Sequence, residues 1–199
     1  MKSIGVPDLR ATNALVLFLV LAFIASTVLF PVSYVGYLGF SVDGFLQGGK
    51  FWTPLTYMFS HLNLFELAVN MLFLYVFGNA LESKVGAVKT VSAFLVGGVA
   101  GLIIGLPFYS PDTTILGSSI AVSTLLGAVI VLNPDSKSSP LFLYLPLGLV
   151  ALIYVIFNAF MLIYDQSGGV AWPSHIIGFC AGVLLGILWR RKNRPVANS

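Results

Sequence analysis

Ser119, His175 and Asn70 are residues whose types suit covalent chemistry, and each lies inside an otherwise apolar stretch. A serine hydroxyl becomes a nucleophile when an imidazole stands ready to take its proton, so one serine and one histidine form the smallest activated pair. A carboxamide beside them supplies N–H groups for a developing oxyanion. The three also share a spacing. Asn133 stands fourteen residues after Ser119, Trp189 fourteen after His175 with Arg190 next, and Lys84 fourteen after Asn70. Fourteen helical steps cover about 21 Å, so segments that end at a common boundary bring the three side chains to one depth. Glu66 precedes Asn70 by one helical turn and falls on the same face. Taken singly, each residue has a plainer reading. Ser119 could cap a helix or share a small face with Ser123 and Gly127, His175 could be an interfacial histidine behind Trp172 and Pro173, and Asn70 could be a polar contact between helices. Polar groups inside apolar spans are costly and mark function, and three at one level imply a cavity.

The elements that must position them are set by composition. The chain has 199 residues, 58% hydrophobic and 9% charged, with a mean hydropathy of +0.97. A soluble domain carries roughly a quarter of its residues as charges, so lipid is the solvent for much of this chain. The net charge of +3 does not point to nucleic acid. Its basic residues sit at the ends of apolar segments, not in a patch interleaved with aromatics. The lone Cys180 permits no internal disulfide.

Charges and helix breakers divide the chain into six apolar segments, 11–30, 53–81, 87–106, 119–132, 141–164 and 174–189. No repeat interrupts them, so a single transmembrane domain over 1–199 is expected. Lys2 and Arg10 before the first segment imitate a secretion signal. The apolar run is longer than the ~7–15 residues of such a signal, which makes it a retained first span. Tyr34, Tyr37, Phe40 and Phe45 lie among glycines in the connection that follows, which suits the membrane interface. The fourth segment is too short for a hydrocarbon core of about 30 Å. Ser119 is therefore expected about 10 Å below the outer surface, with 108–116 dipping inward as a re-entrant loop shielded by protein or lining a wet cavity.

Six spans place both termini on one side. That side collects Lys2, Arg10, Lys84, Lys89, Lys137, Arg190, Arg191, Lys192 and Arg194, against Lys50 on the other. The positive-inside rule then makes both termini cytoplasmic and opens the cavity toward the outer face of the cell membrane.

Three motifs surround these residues. The second segment and the residues just after it carry His61, Asn70 nine residues on, then Phe77-Gly78, Leu81-Glu82 and Gly86. Gly117-Ser118-Ser119 leads into the fourth, and the sixth reads Ser174-His175-Ile176-Ile177-Gly178 with Gly182 beyond. Together they resemble the rhomboid family of intramembrane serine proteases, from about Phe51 to Gly186. The resemblance implies an all-α bundle of six transmembrane helices. It implies a Ser119–His175 dyad, with Ser119 attacking a peptide bond and His175 shuttling the proton to the leaving amine. Asn70 and the Ser119 backbone N–H would hold the oxyanion. His61, Gly117, Gly178 and Gly182 would support the site, the last two by letting the sixth helix approach the fourth. Partners would be transmembrane protein substrates and lipid, with no cofactor.

This sequence departs from the family pattern at several positions. Glu66 stands where a second histidine is usual. An ionised carboxylate there would repel an oxyanion, whereas a carboxyl kept neutral by burial would donate a hydrogen bond. Ile120 and Thr124 replace glycines, and β-branched side chains there are expected to hold the fourth and sixth helices apart. Trp52-Thr53 replaces a Trp-Arg pair, with consequences for loop anchoring only. The alternative function is a rhomboid-like pseudoprotease that binds or escorts membrane proteins without cutting them. A transporter is disfavoured because no inverted repeat is present. A metal site is disfavoured too, since His61 and Glu66 would stand about 140° apart on a helix.

Overall fold

Apolar runs in lipid can satisfy their backbone only within the segment, so they fold as helices. In the computed structural model, which describes residues 10–29, 34–134, 145–165 and 170–192, they do. The helix α1 covers Ala11–Leu29, followed by short helices α2 (Tyr34–Leu38), α3 (Val42–Leu46) and α4 (Thr53–Thr56). Next, α5 (Leu64–Phe73) continues through a π-turn at Leu74–Gly78 into α6 (Asn79–Val85). The remaining helices are α7 (Ala87–Gly105), α8 (Ser119–Leu132), α9 (Leu147–Tyr164) and α10 (Trp172–Lys192). Among the described residues, five rods are long and apolar enough to cross a membrane: α1, the continuous Leu64–Val85, Ala87–Phe108, α9 and α10. The sixth apolar helix, α8, has only 14 residues. The chain is an all-α, multi-pass membrane protein.

Several helix limits differ from those read in the sequence, the second segment most of all. Its continuous helix starts at Leu64, and Thr53–Phe59 forms separate turns. The cause is local. Ser60 and Asn63 are extended, Asn63 Oδ1 accepts the Glu66 N–H at 2.8 Å, and Glu66 Oε2 accepts the Leu62 N–H at 2.8 Å. This reciprocal cap starts a new helix. The described part of the fifth helix starts at Leu147 after Pro146, residues 141–144 lying outside the described residues. The last helix starts at Trp172 and reaches Lys192.

The short helix α8 is the hub. Ile120 through Val129 are all buried, as expected for a helix apolar on every side. Around it, α7 buries Gly97, Gly98, Gly101 and Gly105. A Cβ on Gly178 would stand 2.7 Å from the Ile120 carbonyl oxygen, and one on Gly186 2.8 Å from that of Ala128. Backbone therefore meets backbone between α8 and α10, the close packing that small residues permit in lipid. The expectation that Ile120 and Thr124 separate these helices is corrected here. Their side chains fill the space left by α7 glycines, Ile120 against Gly101 and Thr124 against Gly97. The room a glycine would give on α8 is supplied by α7 instead.

Glu82 has a clear structural task. Its carboxylate accepts the backbone N–H of Ala11 at 3.0 Å and of Thr12 at 2.8 Å, and the Thr12 hydroxyl at 2.6 Å. A carboxylate on the exposed N–H groups of a helix start also favours the helix dipole. It pins α1 to α6, and α1 then buries Thr12, Leu19 and Ser26, a narrow stripe at seven-residue spacing. Much of the rest of α1 is lipid-facing apolar surface.

Candidate active site

Three of the contacts that hold the stretch before α8 bear on where Ser119 sits. Phe40 and Ile115 exchange backbone hydrogen bonds of 3.0 and 2.7 Å. Gly117 donates its N–H to the Tyr57 and Ser60 carbonyls at 3.0 and 2.9 Å. Its φ of +97° is a left-handed conformation that favours glycine, and a Cβ there would collide with Glu66 Oε1. At the third point the fully buried His61 accepts the Ser118 N–H at Nε2, 3.4 Å, with the Ser118 hydroxyl 3.2 Å from the same nitrogen. His61 thus touches the neighbour of Ser119, not Ser119 itself. Its Nδ1 is buried with no hydrogen-bond partner among the described residues.

Beyond this turn Ser119 opens α8. Its Oγ lies 2.7 Å from His175 Nε2. The other ring nitrogen, Nδ1, lies 3.0 Å from Asn158 Oδ1, and Asn158 Nδ2 donates to the Tyr154 carbonyl at 2.8 Å. The Trp172 ring meets the imidazole edge-on, with centroids 5.6 Å apart. Its indole N–H reaches Asp165 Oδ2 at 2.8 Å. Ser123, one turn along α8, donates to the Ser119 carbonyl at 2.6 Å and is hydrogen-bonded to the Tyr154 phenol. The start of α10 is held by Tyr109, whose hydroxyl donates to Ser174 Oγ and accepts the Ser174 N–H, both at 3.1 Å.

Asn70 is buried on α5, its Nδ2 donating to the Glu66 carbonyl at 3.1 Å. The same nitrogen lies 3.8 Å from where a Gly117 Cβ would stand, so the amide borders the turn into Ser119. Glu66 comes against Gly117 as its helical position predicts, but its Oε2 is occupied as an acceptor for Leu62. The N-cap residue of α8, Ser118, makes no side-chain capping hydrogen bond, and the first N–H groups of a helix have no acceptor within it.

Ser119, His175, Asn70, Glu66, Gly117 and His61 thus gather around one turn, with Gly178 and Gly182 closing α10 onto α8 one and two turns away. Sequence reasoning misses Asn158 as the partner of the histidine and Tyr154 behind it. For Asn158 the signal is present, a carboxamide in the apolar run Val155–Leu162, but its level alone does not tell which helix it faces.

Comparison with known proteins gives the frame for this geometry. The family model described as the rhomboid domain matches residues 48–192. The chain is 29% identical over 85 residues to the mitochondrial RHOMBOID-like protein 6 of Arabidopsis thaliana, covering 43% of this chain and 27% of that protein. It is 28% identical over 135 residues to the mitochondrial presenilin-associated rhomboid-like protein A of Danio rerio, covering 66% of this chain and 30% of that protein. The chain spans less than a third of the length of these two relatives. With the domain match reaching from the loop before α4 to the end of α10, this chain belongs to the rhomboid family.

Proposed function

We propose that the chain is an intramembrane serine endopeptidase that cuts transmembrane segments of membrane proteins near their outer end. The observation that carries the reading is the 2.7 Å approach of Ser119 Oγ to His175 Nε2 within a membrane-embedded bundle. His175 takes the hydroxyl proton as Ser119 Oγ bonds to the carbonyl carbon and the carbonyl π electrons move onto oxygen. The oxyanion lies toward the first-turn N–H of α8 and the Asn70 amide. The imidazolium then gives its proton to the leaving nitrogen as the C–N bond breaks, and water hydrolyses the acyl-enzyme by the same route. In this scheme Glu66 shapes the start of α5 and the Gly117 turn, its Oε2 being used as an acceptor.

Labelling by a fluorophosphonate tests the reading, because only an activated serine reacts. The purified protein should label and its Ser119→Ala variant should not. An unlabelled parent would favour a member of the family that binds membrane proteins without cutting them.

The same proposal includes an orientation, with six spans, both termini cytoplasmic and the serine reached from the outer side through a re-entrant 108–116 segment. Asp112 and Lys84 are both exposed and fall on opposite sides in that scheme. In a Cys180→Ala background, a cysteine at position 112 should react with an impermeant maleimide added outside intact cells. A cysteine at position 84 should react only after the membrane is opened. The reverse pattern would overturn the orientation and the direction of water access.

A further inference from the structure

We propose that Asn158 is a positioning residue for the reaction, holding the His175 imidazole in the tautomer and orientation that receive the Ser119 proton. The proposal rests on the protease reading above and adds a third side chain, from a third helix, to the serine and histidine. Its first support is the position of Asn158. The buried residues of α9 are Leu147, Val150, Ala151 and Asn158, and Asn158 is 1% exposed. Neighbouring Ile156, Phe157 and Phe160 are exposed apolar surface. Putting a carboxamide on such a helix is costly unless both of its ends are hydrogen-bonded, and a leucine would cover the same contact without that cost. The amide is satisfied at both ends, and one of those ends is His175.

The second support is the direction of the hydrogen bonds. The Tyr154 carbonyl cannot donate, so the nitrogen of the Asn158 amide faces it, at 2.8 Å. The amide oxygen then faces His175 Nδ1 at 3.0 Å. That oxygen cannot donate either, so Nδ1 must carry the ring proton. A neutral imidazole has one N–H, which leaves Nε2 bare, and the Ser119 hydroxyl donates to it at 2.7 Å. Every donor from the Tyr154 carbonyl to the serine is therefore fixed in one sense, the sense that general-base catalysis needs. Without Asn158 nothing holds the proton on Nδ1, and the other tautomer, with its proton on Nε2, cannot accept from the serine. A neutral amide cannot stabilise the imidazolium as a carboxylate does, so the assigned role is orientation. The link from Trp172 to Asp165 at 2.8 Å joins the start of α10 to the end of α9. It ties the two helices about two turns past Asn158 on α9 and one turn before His175 on α10.

Protein labelled with ¹⁵N at its histidine rings provides a readout independent of turnover. The chain has two histidines, so His175→Ala assigns the His175 resonances by subtraction. In the parent, His175 should show a single Nδ1–H tautomer. In Asn158→Leu it should become a mixture or the Nε2–H form, kcat should fall by about 10²–10⁴, and KM should change by less than about threefold. Asn158→Asp keeps an oxygen facing Nδ1 and should retain the tautomer and most of the activity. Should the leucine variant fail to fold, Asn158→Ala is read in the same way. A leucine or alanine variant with the parental tautomer and parental kcat would overturn the proposal. A parent that never labels with fluorophosphonate defeats the protease reading instead, and the ring spectra still decide whether Asn158 sets the tautomer.

Discussion

Replacing Ser119 or His175 by alanine should abolish cleavage of a transmembrane substrate while leaving a folded protein. Removing either partner of a group that acts as a unit costs about as much as removing the whole group, roughly a millionfold in kcat in a well-studied serine protease. Cleavage would then fall below detection in either variant, and the double variant would be no worse than the single ones. The two should differ in stability. Ser119 Oγ donates a single hydrogen bond, to His175 Nε2, so its loss is mild. His175→Ala leaves the Asn158 oxygen buried without its partner, and an orphaned buried acceptor costs about 1–3 kcal/mol. Thermal unfolding in detergent should rank the parent above Ser119→Ala and His175→Ala lowest. Near-parental cleavage by either variant would show that the serine and histidine do not act as the proposed pair.

Gly182→Leu should disable the protein by another route. A Cβ at Gly182 would collide with the Thr124 carbonyl and stand 2.9 Å from the Ala128 nitrogen. Both are backbone atoms of α8, so no side-chain rotation relieves the overlap and α10 has to move away. Overpacking of a well-packed core costs about 1–3 kcal/mol, and here it also draws His175 from Ser119 along the same pair of helices. Unfolding temperature and fluorophosphonate labelling should therefore fall together. Gly36, where a Cβ meets nothing within 4 Å, provides the comparison. Gly36→Ala should change neither measurement. A Gly182→Leu protein that labels at the parental rate would mean that the close crossing of α8 and α10 does not control the distance between serine and histidine.

Much of the fold can be read from the chain before any coordinates. Long apolar runs such as 11–30 and 87–106 can only be helices in lipid. Spacing also puts Ser119 and His175 at one level, because helical rise is constant and each segment ends at a polar boundary. The glycines at 178 and 182 announce a close crossing through their four-residue repeat. Where one helix ends and another starts was less legible. Thr53–Leu81 is continuously apolar enough to pass for one span, yet Asn63 and Glu66 cap a new helix at Leu64 through bonds that hydropathy does not register. Ile120 and Thr124 show the same limit from another side. Periodicity says that they are bulky, and only the tertiary packing says that they turn toward Gly101 and Gly97 of α7. Asn158 could be seen as a polar group in a span, but whether it faces lipid, α8 or His175 depends on the rotation of α9 about its own axis. The sequence by itself determined that the apolar segments are helices and that Ser119 and His175 share a level, because both follow from local chemistry and a fixed rise per residue. The azimuth of each helix and the partner of each polar side chain were decided by how the described helices pack around one glycine-lined interior, a property of the whole assembly that no single segment carries.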